Sequence, residues 1–586
     1  MTRRKAKGKG REVKTSKASL PRSSSGLSLP PPTSQHASRD EHAPSLNEPG
    51  ALLRQGPQAI ESRAARVTPR RATLLIAGLA VIVSLGSFTY FFSHNMTNLY
   101  GDGIAHVNIA RKVVDSADES LWQRYIQIGS PWLPLQTVFM LPLVANDWMW
   151  RTGFAGSIVS MLCFVVTAIA LYLLARDIYG ELDNPYNEIL PAITAAIFLF
   201  NPSAIYMQAT PMTELVFMAT LVVAVYTLQK WVADQTKKRL VVAALAMTLA
   251  TLARYEAWPV AALSVVIVSL ASRGDTRLKV TNGAAFAAVA SLGPAYWLWH
   301  NWAIYGNALE FLTGPYSARG LLLQNQANLG WAKIFVGHLF IDILMIVVTA
   351  AVCAGPFVLL MGTVGFIAFA IFRRKSMLEH APVFLLTVPF FFHVFSLYRG
   401  EIQIFPLSAF GLHNVRYGLP HVLAIALFAP STLLLFKSES RRRTCAALLA
   451  IVAAQYAYLI SEGPAQLAVY QEGFRNGVNA KPAREKREFA SLIKSDPPGP
   501  TILMNTGELG PVVSQGGLRY SDIIHEGTLR WHQIKEEIPA DVSTVIIQEG
   551  DPLDKRLREN SALARDLAER FQEQHSVGKI KLYRRK

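Results

Sequence analysis

Between Arg71 and about Ile460 the chain runs through one apolar stretch after another, each roughly 18 to 25 residues long and separated by short polar loops. That is the length a helix needs to cross a hydrocarbon layer of about 30 Å. The first stretch, LLIAGLAVIVSLGSFTYFF within 72–92, carries no charge. A buried helix of a soluble domain can imitate one such run but not a series of them, so the pattern is that of a polytopic membrane protein. Composition agrees, since 17% of the residues are charged, against about a quarter in soluble proteins.

A formal net charge of +17 would suggest a nucleic-acid partner in a soluble chain, so where the charge lies decides its meaning. Residues 1–71 hold Arg3, Arg4, Lys5, Lys7, Lys9 and Arg11 among Ser, Pro and Gly, a composition that cannot bury a core. They read as a disordered cytoplasmic tail. Positive charge ahead of a first span is what membrane orientation requires, and contact with anionic lipid headgroups is its natural second role; no nucleic-acid partner is expected. Cys163, Cys353 and Cys445 all fall inside apolar runs, which supports neither a disulfide framework nor a thiolate metal site.

The expected fold class is mainly α, a polytopic transmembrane helix bundle of about eleven spans with a small C-terminal extracytoplasmic α/β domain. The spans fall near 72–92, 152–175, 187–205, 213–232, 240–253, 257–272, 283–300, 343–372, 380–397, 418–437 and 443–460. One orientation puts four basic clusters inside: Lys237 to Arg239; Arg273, Arg277 and Lys279; Arg373 to Lys375; and Lys437 with Arg441 to Arg443. An odd count then leaves 461–586 outside, together with the loops 93–151, 301–342 and 398–417. The protein is expected in the plasma membrane with its N-terminus cytoplasmic.

The outer loops are more than connectors. GIAHVNIARKVVDS, Gly103 to Ser116, puts Ile104, Val107, Arg111 and Val114 on one helical stripe with Asn108, Lys112 and Asp115 off it, so it is expected to lie flat at the interface. Pro131 to Val144 is apolar but short and proline-rich, as in a re-entrant or interfacial helix, and Trp122, Trp132, Trp148 and Trp150 gather around it like an aromatic belt. In the last segment KREFASLIKS reads as a helix, TILMNT and STVIIQE as strands, NSALARDLAERFQEQ as an amphipathic helix and KIKLYRRK as a final strand. NTGELGPVVSQGG lacks the G-x-G-x-x-G spacing of a dinucleotide site.

Ionisable groups at membrane depth cost about 2.5–3.5 kcal/mol each on insertion scales and so point to function. Asp102, in Gly-Asp-Gly just past the first span, could take a proton from an attacking hydroxyl or could simply cap a helix. His106 lies one turn later on the same face. Glu214 opens a later span, where an acid also suits the helix dipole. Arg254 and Glu256 stand where two apolar runs meet, either as a structural pair or as part of a site. The loop NALEFLTGPYSARG brings Glu310, Tyr316 and Arg319; LHNVRYGLP brings His413, Asn414, Arg416 and Tyr417. A guanidinium at the interface suits a phosphate, although a single arginine there is commonly a snorkelling anchor.

This pattern resembles the GT-C superfamily of membrane glycosyltransferases, especially its branch of protein O-mannosyltransferases and aminoarabinose transferases. Asp102 falls where that superfamily carries its first-loop catalytic acid, Glu214 looks like its acid at the outer start of a later span, and TLARYEAW and GNALEFLTGPYSA are similar to segments of bacterial members. The resemblance covers roughly 72–460, with a looser match beyond. Members of that branch commonly carry two adjacent acids in the first loop, whereas here Asp115, Asp118 and Glu119 arrive only after the helix.

The resemblance implies transfer of one sugar from a polyprenyl-phosphate donor to a hydroxyl of a glycan, lipid or protein acceptor on the outer face, with inversion. Asp102 would be the base, Arg416 with Arg319 or Arg254 would hold the phosphate, and Tyr417 or Glu214 would orient the sugar. No metal is expected as obligatory; a manganese or magnesium ion on Asp102 and Glu214 is the fallback. The competing readings are a transporter or flippase for a lipid-linked or polar solute, with intramembrane charges lining its path, and a sensor whose outer domain binds a partner.

Overall fold

The computed structural model describes residues 69–116, 120–180, 182, 186–324, 336–408, 411–436, 438–461, 463 and 467–586. The basic tail expected over 1–71 therefore lies, up to residue 68, outside the described residues, as do Asp118, Glu119 and Lys437.

Long apolar helices dominate the chain. Among the described residues six are long and apolar enough to cross a membrane: Arg70–Ser93, Phe154–Tyr179, Glu214–Asp234, Ala381–Tyr398, Val415–Leu435 and Ser440–Ser461. A seventh span arises if Leu339–Ala354 and Pro356–Phe372 are counted as one, although they meet at 112°. The expected eleven full spans are not supported. Tyr186–Leu199 has 14 residues, Ala257–Ala271 has 15 and Lys237–Ala253 has 17, which at 1.5 Å per residue gives about 21 to 26 Å, short of a bilayer core. The stretch expected as 283–300 is divided at Ser291 between Thr276–Ala290 and Leu292–Tyr305. The joint at Arg-Tyr-Glu falls where the two apolar runs were expected to meet, whereas apolar composition alone could not reveal the break at Ser-Leu-Gly-Pro.

The bundle has two chemically different ends. At one, Lys230 pairs with Asp177 at 2.8 Å and Arg239 with Asp234 at 2.9 Å. There the Arg273 amide donates to Gln235, Arg373 donates to the Ile178 carbonyl at 2.9 Å, and Arg441 stacks over Tyr186. Representatives of all four basic clusters thus meet at that end. Glu214 opens the helix whose last residue is Asp234, and 21 helical residues put it about 30 Å away.

The C-terminal region builds a five-stranded sheet in the order β4-β3-β5-β7-β6. Here β1 (Phe405–Ser408) and β2 (Gly411–His413) form a separate hairpin; the sheet comprises β3 (Ile502–Met504), β4 (Ile523–Ile524), β5 (Thr544–Gln548), β6 (Phe571–Val577) and β7 (Ile580–Arg585). Strand β3 runs parallel to β4 and β5, while β7 is antiparallel to β5 and β6. Alternation sorts its faces: Leu503, Val545 and Ile547 enter one apolar cluster with Trp531 and Leu563, and Ile502, Met504 and Ile546 enter the core shared with the bundle. The amphipathic helix expected to run to residue 574 ends at Arg570. From Phe571 the chain is strand β6 instead, because pairing with β7 outweighs its helical propensity.

The loop that follows the first long helix carries this domain. Helix Gly101–Val114 does not lie free at an interface as expected, for His106, Val107, Asn108, Ala110 and Arg111 are all buried. Asn108 accepts from Trp150 Nε1 at 2.8 Å, and Arg111 is held by Asp147 at 2.7 Å and by the Val144 carbonyl at 2.8 Å. The C-terminal domain clamps the same helix through Lys112 to Glu526 at 3.0 Å and the Tyr520 amide to Asp115 at 3.1 Å. Leu135–Val144 is a ten-residue helix with Pro142 inside it, about 15 Å long, as its short apolar run suggests. Trp122 and Trp148 are exposed as belt residues would be, but Trp150 is fully buried.

Candidate active site

At the end of the bundle opposite the basic clusters, five segments deliver charged side chains to one place. Asp102 is the second residue of helix Gly101–Val114, whose N-cap position is Tyr100. The capping role considered for Asp102 is therefore not the one it plays. Glu214 is the first residue of its helix. Arg254 and Glu256 occupy the joint between Lys237–Ala253 and Ala257–Ala271, and Arg416 and Tyr417 lie on the 3-10 turn Val415–Gly418. The fifth segment was not read from the sequence: Glu472 ends the short helix Ala468–Glu472 and leads into a π-helical turn, Gly473–Val478. Its signal was slight, a single acid following the apolar Leu-Ala-Val-Tyr run.

Arg416 is the hub. Its Nη2 lies 2.5 Å from Asp102 Oδ2, its Nη1 2.7 Å from Glu472 Oε1 and its Nε 3.2 Å from Glu214 Oε1. Glu214 Oε1 is shared with Arg254 Nη1 at 3.0 Å, and Arg254 Nε reaches Glu256 Oε1 at 2.8 Å. Behind Glu256 stand two buried histidines that sequence reading also missed: His393 Nε2 lies 3.0 Å from Glu256 Oε1, and His393 Nδ1 lies 3.3 Å from His421 Nε2. The Arg254 and Arg416 guanidiniums lie 5.0 and 5.9 Å from the centre of the Tyr417 ring. Burial separates one member of this chain from the rest. The Asp102 side chain is 44% exposed, while those of Glu214 and Glu472 are 1% and 2%.

Three ionisable groups around the site have states set by burial. His106, stacked on Trp132 at 4.4 Å, is pushed down to about 4 by burial, so it is neutral near pH 7. His413 falls to about 4 through burial and the neighbouring Arg416 charge. Glu472 is pushed up to about 7 by burial, against the pull of Arg416. Glu214 Oε2 is buried and has no hydrogen-bond partner among the described residues.

Of the residues singled out from sequence, Asp102, Glu214, Arg254, Glu256, Arg416 and Tyr417 are joined directly, and His106 and His413 lie close enough to feel the Asp102 and Arg416 charges. Tyr316 and Arg319 are exposed on another loop, where Tyr316 faces the charges of Glu526, Glu508 and Asp551. A divalent ion shared by Asp102 and Glu214 does not fit, because the Arg416 guanidinium already bridges those carboxylates at 2.5 and 3.2 Å. No group of three or more His, Cys, Asp or Glu able to hold an ion occurs among the described residues.

No protein-family model and no curated protein matches the chain. Among solved structures it is similar to ArnT from Cupriavidus metallidurans in the apo state, with 14% identity, a TM-score of 0.48 and 87% of this chain covering 97% of that one. The same protein bound to undecaprenyl phosphate matches at 12% identity and 0.46, over 87% and 97%. The oligosaccharyltransferase of Archaeoglobus fulgidus matches at 10% identity and 0.43, over 83% of this chain and 70% of that one. These proteins are members of the GT-C superfamily, which the sequence resembles. No residue role, donor or acceptor passes to this chain from a likeness of that size.

Proposed function

We propose that this chain is a membrane glycosyltransferase that moves a sugar from a polyprenyl-phosphate donor to a hydroxyl acceptor at the outer face of the plasma membrane. The observation that carries this reading is the contact of an exposed carboxylate, Asp102, with a buried guanidinium, Arg416, at 2.5 Å. A base and an anion holder side by side are what displacement at an anomeric carbon needs. Asp102 accepts the acceptor's hydroxyl proton as its oxygen attacks. The bond from the anomeric carbon to the phosphate oxygen breaks, and Arg416, backed by Arg254, takes the phosphate's charge. Direct displacement inverts the anomeric carbon. Glu214 Oε2, buried and unpartnered, is left to accept a sugar hydroxyl, and Tyr417 is held beside it by the two guanidiniums.

The position of the site relative to the basic clusters supports the outer-face assignment, since Lys and Arg gather on the cytoplasmic side of membrane proteins. It follows that the C-terminal domain, which packs on the same loop as Asp102, is extracytoplasmic. No divalent ion enters this scheme.

The transporter reading gains one feature, the 112° break between Leu339–Ala354 and Pro356–Phe372. Among the described residues it is a single broken pair, whereas repeat-built transporters place such breaks in two corresponding halves.

The test is transfer by the purified chain in proteoliposomes from a radiolabelled polyprenyl-phosphate hexose, followed by release of polyprenyl phosphate. Asp102→Asn should lower turnover by a factor of about 10² to 10⁴. Full turnover by that variant would end the assignment of Asp102 as the base.

A further inference from the structure

The three carboxylates around Arg416 are not equivalent, and their differences assign a job to the one outside the reaction described above. Glu472 contacts Arg416 twice: Oε1 lies 2.7 Å from Nη1, and Oε2 accepts from the Arg416 backbone N–H at 3.4 Å. Its Oε1 also accepts from the Asn414 amide at 2.9 Å. Asn414 sits in the left-handed region at φ 57°, so the carboxylate grips the turn at the residue where its backbone is least free. On the far side Oε2 accepts from the Tyr100 hydroxyl at 3.4 Å, and Tyr100 directly precedes the helix that carries Asp102.

A guanidinium is a rigid planar fork with three edges. Here Nε is taken by Glu214 and Nη1 by Glu472, both deeply buried, and only Nη2 faces an exposed partner. A phosphate oxygen arriving from outside can therefore reach Arg416 only at the edge now held by Asp102. Without Glu472 the fork could rotate about its stem and present another edge.

We propose that Glu472 is a positioning residue that fixes the Arg416 fork so that its Nη2 edge alone is exchanged between Asp102 and the anionic oxygen of a phosphate. This rests on the glycosyltransferase reading and deepens it. When phosphate takes Nη2, Asp102 loses its tightest partner and becomes free to act as a base, which makes donor binding the event that releases the base. The ligand chemistry is a phosphate group, whether on a polyprenyl lipid or free.

Reach and charge separate this role from simple neutralisation. Glu472→Gln keeps an acceptor oxygen at the same reach and loses the charge, whereas Glu472→Asp keeps the charge and loses about one methylene of reach. The full chain in detergent micelles is titrated with undecaprenyl phosphate and, separately, with inorganic phosphate. Positioning predicts that Glu472→Gln binds undecaprenyl phosphate within threefold of wild type or tighter. Glu472→Asp should bind at least tenfold more weakly, with KM for the donor raised more than kcat is lowered. Inorganic phosphate showing the same ranking identifies the headgroup as what is read; a ranking seen with the lipid alone assigns the hook to the lipid-borne phosphate, and either result supports the role.

The reverse ranking, with Asp tight and Gln weak, overturns positioning in favour of bare charge. Equal binding by all three proteins overturns it as well, while loss of turnover in Asp102→Asn would still stand for the transfer reading. Wild type failing to bind either phosphate removes both.

Discussion

Asp102 and Arg416, 314 positions apart in sequence, meet at 2.5 Å at the mouth of a buried chain of charges. The two partners are placed very differently, the acid 44% exposed and the guanidinium 11%. Their removal should therefore have unequal effects on folding. Asp102→Asn leaves Arg416 with two buried carboxylates and should cost at most about 1 kcal/mol of stability. Arg416→Leu leaves Glu214 and Glu472 buried beside each other without their shared cation, a change on the order of 3–5 kcal/mol. Thermal melts in detergent should show the first variant near wild type and the second strongly destabilised. Similar melting of both would mean that Arg416 is not the hub of the cluster.

The line Asp102–Arg416–Glu214–Arg254–Glu256 was legible in the sequence as a set, because each member is an ionisable residue set against an apolar run at the same face. Its extension was not. His393 sits inside VPFFFHVFSLY, where a lone histidine looks like any packed core residue, and only the fold brings it to Glu256. Glu472 was hidden for a different reason: it belongs to the joint after the last span, and nothing local ties that joint to residues 99 and 100. The fold class was visible from the length of the apolar runs. The span count was not, because a break such as Ser291 shortens helices without interrupting hydropathy, and runs such as Tyr186–Leu199 and Ala257–Ala271 form helices too short to cross. Arg319 looked like a second phosphate holder beside Arg416 by chemistry alone, and only coordinates could place the neighbouring Tyr316 near Glu526 and Asp551.

The Glu256–His393 contact offers a separate measurement. His393 is fully buried, and at 3.0 Å its Nε2 is a hydrogen-bond donor to a carboxylate already held by Arg254. His393→Phe fills the space but removes the donor, leaving one carboxylate oxygen short of a partner, at about 1–3 kcal/mol. His393→Gln, which can donate again, should recover part of that loss. Donor KM should shift little in both, since Arg254 still spans Glu214 and Glu256. A tenfold rise in KM for His393→Gln would show that the histidine itself reaches substrate.

A pH dependence follows from His106. In the folded chain burial lowers it to about 4, from an ordinary value of 6.5. The folded state therefore binds this proton more weakly than the unfolded chain does. Its contribution to stability is complete above about pH 6.5 and is lost as pH falls toward about 4, amounting to about 3 kcal/mol at most. Glu472 works in the opposite sense: raised to about 7, it favours the folded state at low pH and loses that contribution as pH rises from its ordinary range through 7. The comparison of wild type with His106→Gln at each pH separates the two. Between pH 6.5 and 4 the wild type should lose stability relative to the variant. A constant difference across that range would show that His106 is not buried as a neutral ring.

The joint that carries Glu472 docks through glycines on Leu99 and Tyr100, in the loop after the first long helix. A Cβ at Gly473 would lie 3.0 Å from the Tyr100 ring, and one at Gly477 would collide with the carbonyl oxygen of Leu99. Neither glycine needs positive φ, so what their missing side chains permit is close approach, of Gly473 to the Tyr100 ring and of Gly477 to the Leu99 backbone. Gly477→Ala must push the turn Gly473–Val478 away from Leu99 and Tyr100, at about 1–3 kcal/mol. The displacement passes to Glu472, one residue before that turn, and from there to Arg416. The expected result is a folded protein with lowered melting temperature and weakened phosphate binding, while Gly463→Ala, where a Cβ would meet nothing within 4 Å but φ is +79°, should disturb stability without changing phosphate binding. Wild-type phosphate affinity in Gly477→Ala would break the link from the joint to the arginine.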